Sequence, residues 1–208
     1  MHNMPPTPFL AMSPYGQMPP GYGLVGLPRP DGIQPPPPAG IEMREMAMVR
    51  HLNSHRDPRS VAWTEFMSDK GGDELWMQFA KQYRREAGFL RGWIGTGLIA
   101  VAMGVASLKT NGAKNHYRRL RPYQIDGSIT SIGKAEKSGS YPSGHTSKAY
   151  SAATVLSRLW PARAYEFNWW ARQVGLSRIH GGQHFPSDVK VGALLGQKIG
   201  FQVSSLLN

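Results

Sequence analysis

Cysteine is absent from this 208-residue chain, which excludes disulfides and thiolate metal sites and leaves the redox compartment open. Acidic residues are scarce, with 13 Asp and Glu against 24 Lys and Arg, for a net charge of +11. Long apolar runs are also missing. The longest candidate, Gly92 to Leu108, is 17 residues rich in Gly and Ala, at the lower limit for a membrane span. It reads better as the buried central helix of a bundle, so no integral span is expected. A basic segment followed by an apolar one, as in a signal peptide, is not visible at the N-terminus. No run of strand-like segments and no internal repeat occurs.

What is present is unevenly placed. Residues 111–208 hold 13 Lys and Arg against 4 Asp and Glu, whereas residues 1–110 hold 11 against 9. The basic excess therefore sits in one half. A solvated basic face or weak nucleic-acid attraction would account for it. A basic cleft for an anionic substrate accounts for it better, because three of the cations lie inside the motifs described below. Residues 1–40 contain 12 of the 17 prolines, including Pro35 to Pro38, and predict an extended or disordered arm. Residues 41–208 form one expected domain, with helical periodicity over Ile41–Leu52, Ser60–Met67, Asp73–Phe89, Gly92–Thr110, Thr146–Leu159, Ala162–Leu176 and Pro186–Leu207. The expected fold is an all-α bundle of about six main helices. Met43, Met46 and Met48 read as adaptable core filling of the first helix.

Three stretches carry the chemistry. In the first, Lys114 is followed by six residues and then Arg121-Pro122. An ammonium and a guanidinium both suit phosphate oxygens. Pro122 disfavours helix at Arg121, so the helix bearing Lys114 should end here. The competing reading is a basic helix end with His116, Arg118 and Arg119 in solvent. In the second stretch, Tyr141-Pro142-Ser143-Gly144-His145 precedes a helix. Ser143 is a good N-cap, Gly144 allows close backbone approach, and helix-start amides attract anions. In the third, five residues separate Arg178 from His184 and three separate His184 from Asp188. Pro186 and Asp188 suit the first turn of a helix. Asp188 can accept from one nitrogen of His184, which leaves the other free to attack. A metal site of His180, His184, His145 and Asp188 is the rival, opposed by Gly181 and Gly182 and by the nearby cations.

Together these stretches resemble the type-2 phosphatidic acid phosphatase superfamily, whose signature is Lys-x6-Arg-Pro, Pro-Ser-Gly-His and Ser-Arg-x5-His-x3-Asp. Lys114, Arg121, Pro122, Pro142, Ser143, Gly144, His145, Ser177, Arg178, His184 and Asp188 match every fixed position. The flanks KNHYRRLRPY, SGSYPSGHTS and SRIHGGQHFPSDV look most like the bacterial class A non-specific acid phosphatases. The likeness spans roughly residues 60–205. It implies a helical fold of the acid phosphatase and vanadium haloperoxidase type. It also implies a metal-independent phosphate-monoester hydrolase with His184 as nucleophile, Asp188 orienting it, and His145 as proton donor and then base. Lys114, Arg121, Ser143, Gly144 and Arg178 would bind phosphate. No cofactor is implied, and vanadate would inhibit. The alternatives are a haloperoxidase that uses vanadate as prosthetic group, a lipid-phosphate phosphatase or phosphotransferase, and a silent binding module. A small phosphorylated substrate is expected and nucleic acid is not; a homo-oligomer is left open. Relatives of this type are usually exported, so the missing signal peptide and the missing cysteines both depart from the pattern, and the compartment is not assigned.

Overall fold

The computed structural model describes residues 33–207, and the expectation for most of the proline-rich arm lies outside them. Among the described residues every regular element is a helix, without a strand, and residues 126–143 form a long non-helical connection. The elements are α1 (Ala39–Ser54), α2 (Pro58–Lys70), α3 (Glu74–Glu86), α4 (Phe89–Tyr117), the short α5 (Pro122–Ile125), α6 (Gly144–Leu159), α7 (Ala164–His180) and α8 (Pro186–Ser204). Seven of these have 13 residues or more, one beyond the six expected.

Local chemistry sets the boundaries. Asp57 caps α2 by accepting from the amides of Arg59 and Ser60 at 2.8 and 2.9 Å, with Pro58 in the first turn. In α3, Leu75, Trp76, Phe79, Ala80 and Tyr83 recur at helical spacing and all are buried. The helix α4 ends without glycine: Arg118 takes the left-handed conformation at φ 48°, and its amide donates to Lys114 O. Pro161 opens a 3-10 turn, Pro161–Arg163, rather than α7 itself. The helix α7 then runs four residues past the expected Leu176 and carries Arg178 on its last turn.

The centre of the bundle is α6, which packs against α4, α7 and α8. Its contact with α8 is unusually close. Gly192, Gly196 and Gly200, one helical turn apart, face Ser143, Ser147 and Ser151 on the other strand of the contact. A Cβ at these glycines would lie 2.7, 2.3 and 2.7 Å from the three serine carbonyl oxygens. Only glycine permits that approach of backbones. Around this axis Trp76, Phe79, Ile99, Leu156 and Phe167 form the main core. A smaller cluster, with Met46, Val49, Ile179 and Phe185, fastens α1 to the opposite side.

Two expectations are corrected. Met43 is exposed rather than core, while Glu45 on the same helix is buried. The expected buried central helix, α4, buries only one face. Leu90, Trp93, Val101 and Leu108 stand exposed on the other. By length and composition α4 could cross a membrane, and 33% of its apolar window is buried inside the molecule.

Candidate active site

Four helix ends converge at one end of the bundle. These are the C-termini of α4 and α7, bearing Lys114 and Arg178, and the N-termini of α6 and α8, bearing Gly144-His145 and Asp188. The α6 and α8 starts are stitched together by Ser143 N donating to Asp188 O at 2.9 Å. The cleft between these ends measures about 160 Å³ and is lined by Lys114, Arg121, Gly144, His145, Arg178 and His184, with Asn111, Glu136, Ser138 and Lys148 towards its rim. The structure thus brings the three stretches into one site. A larger groove, about 770 Å³ between α4, α8 and residues 33–37, is lined by His116 but by none of Lys114, Arg121, His145, Arg178 and His184.

Arg121 sits in extended backbone between α4 and α5 and is 1% exposed. Its guanidinium donates to Ser138 O and Gln183 O at 3.1 Å each and to His184 Nε2 at 3.2 Å. A guanidinium has no acceptor, so Nε2 is the unprotonated nitrogen. The proton is then on Nδ1, which donates to Asp188 Oδ2 at 3.3 Å. The tautomer is fixed from both sides, and the ring lines the cleft with its Nε2 lone pair held by Arg121. Asp188 Oδ2 also accepts from the Phe185 amide at 2.9 Å, holding the turn into α8.

The other residues of the motifs fall as follows. Lys114 Nζ reaches Ser138 Oγ at 3.3 Å, and Arg178 donates to Ser68 Oγ at 2.6 Å. Ser143 is fully buried and caps α6, accepting from Thr146 Oγ1 at 2.8 Å and Thr146 N at 3.5 Å. A Cβ on Gly144 would meet Lys114 Nζ at 3.9 Å and Thr110 Oγ1 at 3.7 Å. It would therefore project into the cleft that an anion needs, which is the reason for glycine here. His145 stands on the first turn of α6 beneath the α2–α3 turn, where a Cβ on Gly72 would come within 3.2 Å of its Nε2. His180 lies outside the cleft, with Nδ1 2.8 Å from Thr64 Oγ1 and its carbonyl held by Arg56. The metal alternative loses one of its four groups by this placement.

The electrostatics follow from burial and the crowding of cations. Burial, then Arg178 and other cations, keeps His145 well below the usual imidazole pKa. Burial, then Arg121, does the same to His184. Burial, then Arg121, lowers Lys114 to about 8. Asp188 is pushed up to about 6 by burial, against the pull of Arg119. The cleft carries an excess of positive charge that a doubly charged anion would neutralise.

Sequence reasoning missed Arg119, Ser138, Ser68 and Glu45. Arg119, which the competing reading of the first stretch left in solvent at a basic helix end, is 8% exposed and donates to Asp188 Oδ1 at 2.6 Å. The signal available for it was position alone, two residues before Arg121 in a stretch already marked as chemical.

The PAP2 superfamily model matches residues 95–207, just over half of the chain. A non-specific acid phosphatase of Salmonella typhi is 40% identical over 91 residues, covering 42% of this chain and 36% of that protein. A lipid A 1-phosphatase of Porphyromonas gingivalis is 32% identical over 122 residues, covering 53% of this chain and 24% of that protein. The chain thus matches about a third or less of the length of these relatives. Among solved structures, a bacterial vanadium-dependent iodoperoxidase superposes with a TM-score of 0.71 at 21% identity, over 84% of this chain and 52% of that one, which establishes the shared fold. The chain belongs to the PAP2 superfamily.

Proposed function

We propose that this PAP2 superfamily chain hydrolyses phosphate monoesters through a phosphohistidine on His184. The observation that carries the reading is the doubly anchored imidazole. Arg121 donates to Nε2 and Nδ1 donates to Asp188, so an unprotonated nitrogen faces a cleft of three cations. That arrangement is a nucleophile with its orienting base already in place.

Substrate binding comes first. Lys114, Arg121 and Arg178 hold the non-bridging oxygens, with the Gly144 amide at the start of α6 as a further donor. The bound dianion offsets the cations that keep His145 neutral, so this imidazole regains its basicity and takes up a proton. His184 Nε2 then attacks phosphorus. The N–P bond forms as the P–O bond to the alcohol breaks, and His145 delivers its proton to the leaving oxygen. Asp188 stabilises the charge that develops on the His184 ring. In the second half, water attacks phosphorus from the vacated side and gives a proton to His145. The N–P bond breaks, inorganic phosphate leaves, and His145 releases its proton to solvent, so both rings return to their starting state. No metal takes part in these steps. Vanadate, which can form the five-coordinate geometry of the transition state, would bind the same cations and inhibit.

The test is hydrolysis of p-nitrophenyl phosphate in EDTA across acid to neutral pH, for wild type and His184→Ala. Activity that survives EDTA, is blocked by vanadate and disappears in the variant supports the reading. Loss of activity in EDTA overturns it, and bromide oxidation by the vanadate-loaded protein would replace it with haloperoxidase chemistry. A second reading, a lipid-phosphate substrate, is favoured by the exposed apolar face of α4 and by the lipid A 1-phosphatase relative. It predicts faster turnover of a phosphorylated lipid in mixed micelles than of p-nitrophenyl phosphate.

A further inference from the structure

Arg119 is a buried cation behind the catalytic pair and outside the cleft, since it is not among the residues that line it. One of its nitrogens donates to Asp188 Oδ1 at 2.6 Å and to Ser187 Oγ at 2.8 Å. Its other nitrogens reach Glu42 Oε2 at 3.1 Å and Glu45 Oε2 at 3.3 Å. The guanidinium plane lies 4.0 Å from the centre of the Phe185 ring. Both glutamates come from α1, which precedes residues 95–207, the part matched by the family model. Glu45 does more than pair with Arg119. Buried at 6% exposure, it accepts from the Ser187 amide and from Ser187 Oγ, each at 2.7 Å. It thereby caps α8 from another helix, one residue before Asp188.

We propose that Arg119, braced by Glu42 and Glu45 of α1, is a positioning residue that holds Asp188 ionised and aimed at His184. The inference rests on the phosphohistidine reading above. Its physical basis is the two faces of one carboxylate. Asp188 is fully buried, and an isolated buried carboxylate takes up a proton rather than stay charged. Oδ2 is committed to His184 Nδ1 and the Phe185 amide, and both bonds are stronger when it is anionic. Arg119 supplies the counter-charge on Oδ1. Were Asp188 protonated, it would give up the charge that stabilises His184 as the N–P bond forms. The glutamates act in the opposite sense on charge: they compete with Asp188 for Arg119 while fixing where Arg119 stands. The charged and titratable groups facing Asp188 are Arg119 from the segment after α4, Glu45 and Glu42 from α1, and His184 from the turn before α8. Lys114 and Arg121 face it from the cleft side, and Tyr141 from the side of the larger groove.

The experiment compares kcat, KM and the acid limb of the pH profile for wild type, Arg119→Gln, Arg119→Lys and Glu45→Gln on p-nitrophenyl phosphate. One substrate throughout cancels the substrate's own ionisation. Removing an opposite charge at this range moves a carboxylate pKa by about 1 to 3 units. Arg119→Gln is therefore expected to move the acid limb up by about one unit or more, with kcat reduced about tenfold per unit below the limb and KM changed far less. Arg119→Lys restores part of the shift. Glu45→Gln keeps an acceptor for the Ser187 amide, removes a competing negative charge, and moves the limb down. Opposite shifts from the two neutral variants cannot come from a merely structural role, which lowers the active fraction without moving the limb. Equal losses with unmoved limbs overturn the inference. If Arg119→Gln fails to fold, as judged by circular dichroism, the Lys and Glu45 variants decide alone: an unmoved limb in both overturns it. A wild type without turnover overturns the phosphatase reading itself, a different result.

Discussion

The empty protein should lose stability as the pH falls from neutral to 5, and a phosphate-like anion should restore it. Three histidines set the magnitude, His180 and His184 buried and His145 partly buried. His145 and His184 are held well below the ordinary imidazole value, and His180 is lowered to about 4, in each case first by burial. A lowered histidine stays neutral in the folded chain while the unfolded chain takes up a proton below about pH 6.5. Stability therefore falls as pH drops, by about 1.4 kcal/mol per unit for each such group. Between pH 6.5 and 5 the three together remove about 5 kcal/mol on this scale. Asp188 works the other way. With a folded pKa raised to about 6, it binds a proton in the folded state that the unfolded chain does not take until lower pH, and it returns about 1 kcal/mol. The net loss, about 4 kcal/mol, corresponds to a fall in Tm of roughly 8 to 16 °C for a chain of this size. The assay is thermal unfolding at constant ionic strength from pH 7.5 to 5. A second series contains inorganic phosphate at a hundred times its Kd, which adds about 3 kcal/mol by binding alone. It should flatten the slope further by letting His145 charge in the folded state. A Tm that is level or rising towards pH 5 without the anion would refute the reasoning, because it would mean that the histidines protonate in the folded cleft.

Other consequences are sharp in sign. Replacing Gly196 by Ala places a Cβ 2.3 Å from Ser147 O, so overpacking should cost about 1 to 3 kcal/mol in urea unfolding. Gly104, also helical but with open space where its Cβ would go, should gain up to about 1 kcal/mol from the same change. Equal effects at the two sites would mean that the α6–α8 contact is looser than described. Lys114, lowered to about 8, discharges as pH rises through that value and forfeits a phosphate contact. KM should therefore climb between pH 8 and 9.5 in wild type and stay flatter in Lys114→Arg, whose charge persists. A KM that rises equally in both would remove Lys114 from phosphate binding.

The half of the candidate site proposed as catalytic was legible as a cluster in the sequence because its residues are related by short-range spacing. His184 and Asp188 are four apart across a helix start, and Ser143-Gly144-His145 is a cap followed by a first turn. Such relations survive whatever the tertiary fold. The end of α4 before Arg121 was likewise legible, since Pro122 disfavours helix at Arg121, although the helix stops three residues earlier at Arg118. The supporting half was not legible. Arg119 meets Asp188 across 69 residues and Glu45 across 74, and nothing local separates a buried charge from a solvated one in an Arg-Arg pair. Burial of Glu45 was equally hidden, since α1 is only weakly amphipathic and its methionines looked like the better core residues. One signal was present and unused. Glycines at 192, 196 and 200 repeat with the same period as serines at 143, 147 and 151, and two small-residue stripes of equal period are what close helix contact requires.

That contact bears directly on the chemistry. The proposed reaction needs a nucleophile on one side of phosphorus and a proton donor on the other, in line. His145 rides on the first turn of α6, while Asp188, which aims His184, rides on the first turn of α8. The glycine ladder brings these two helices together backbone to backbone, and the Ser143 amide joins them at the start of both. The distance between the two bases is therefore set by main chain rather than by side-chain packing, which could relax by rotamer changes. The cations arrive separately, from the ends of α4 and α7 and the segment after α4, and are buried, with Arg121 held by Ser138 and Gln183 and Arg178 by Ser68. A pair of bases set by main chain within a ring of fixed cations suits phosphoryl transfer, in which the attacking and leaving groups stay in line while negative charge redistributes over the equatorial oxygens.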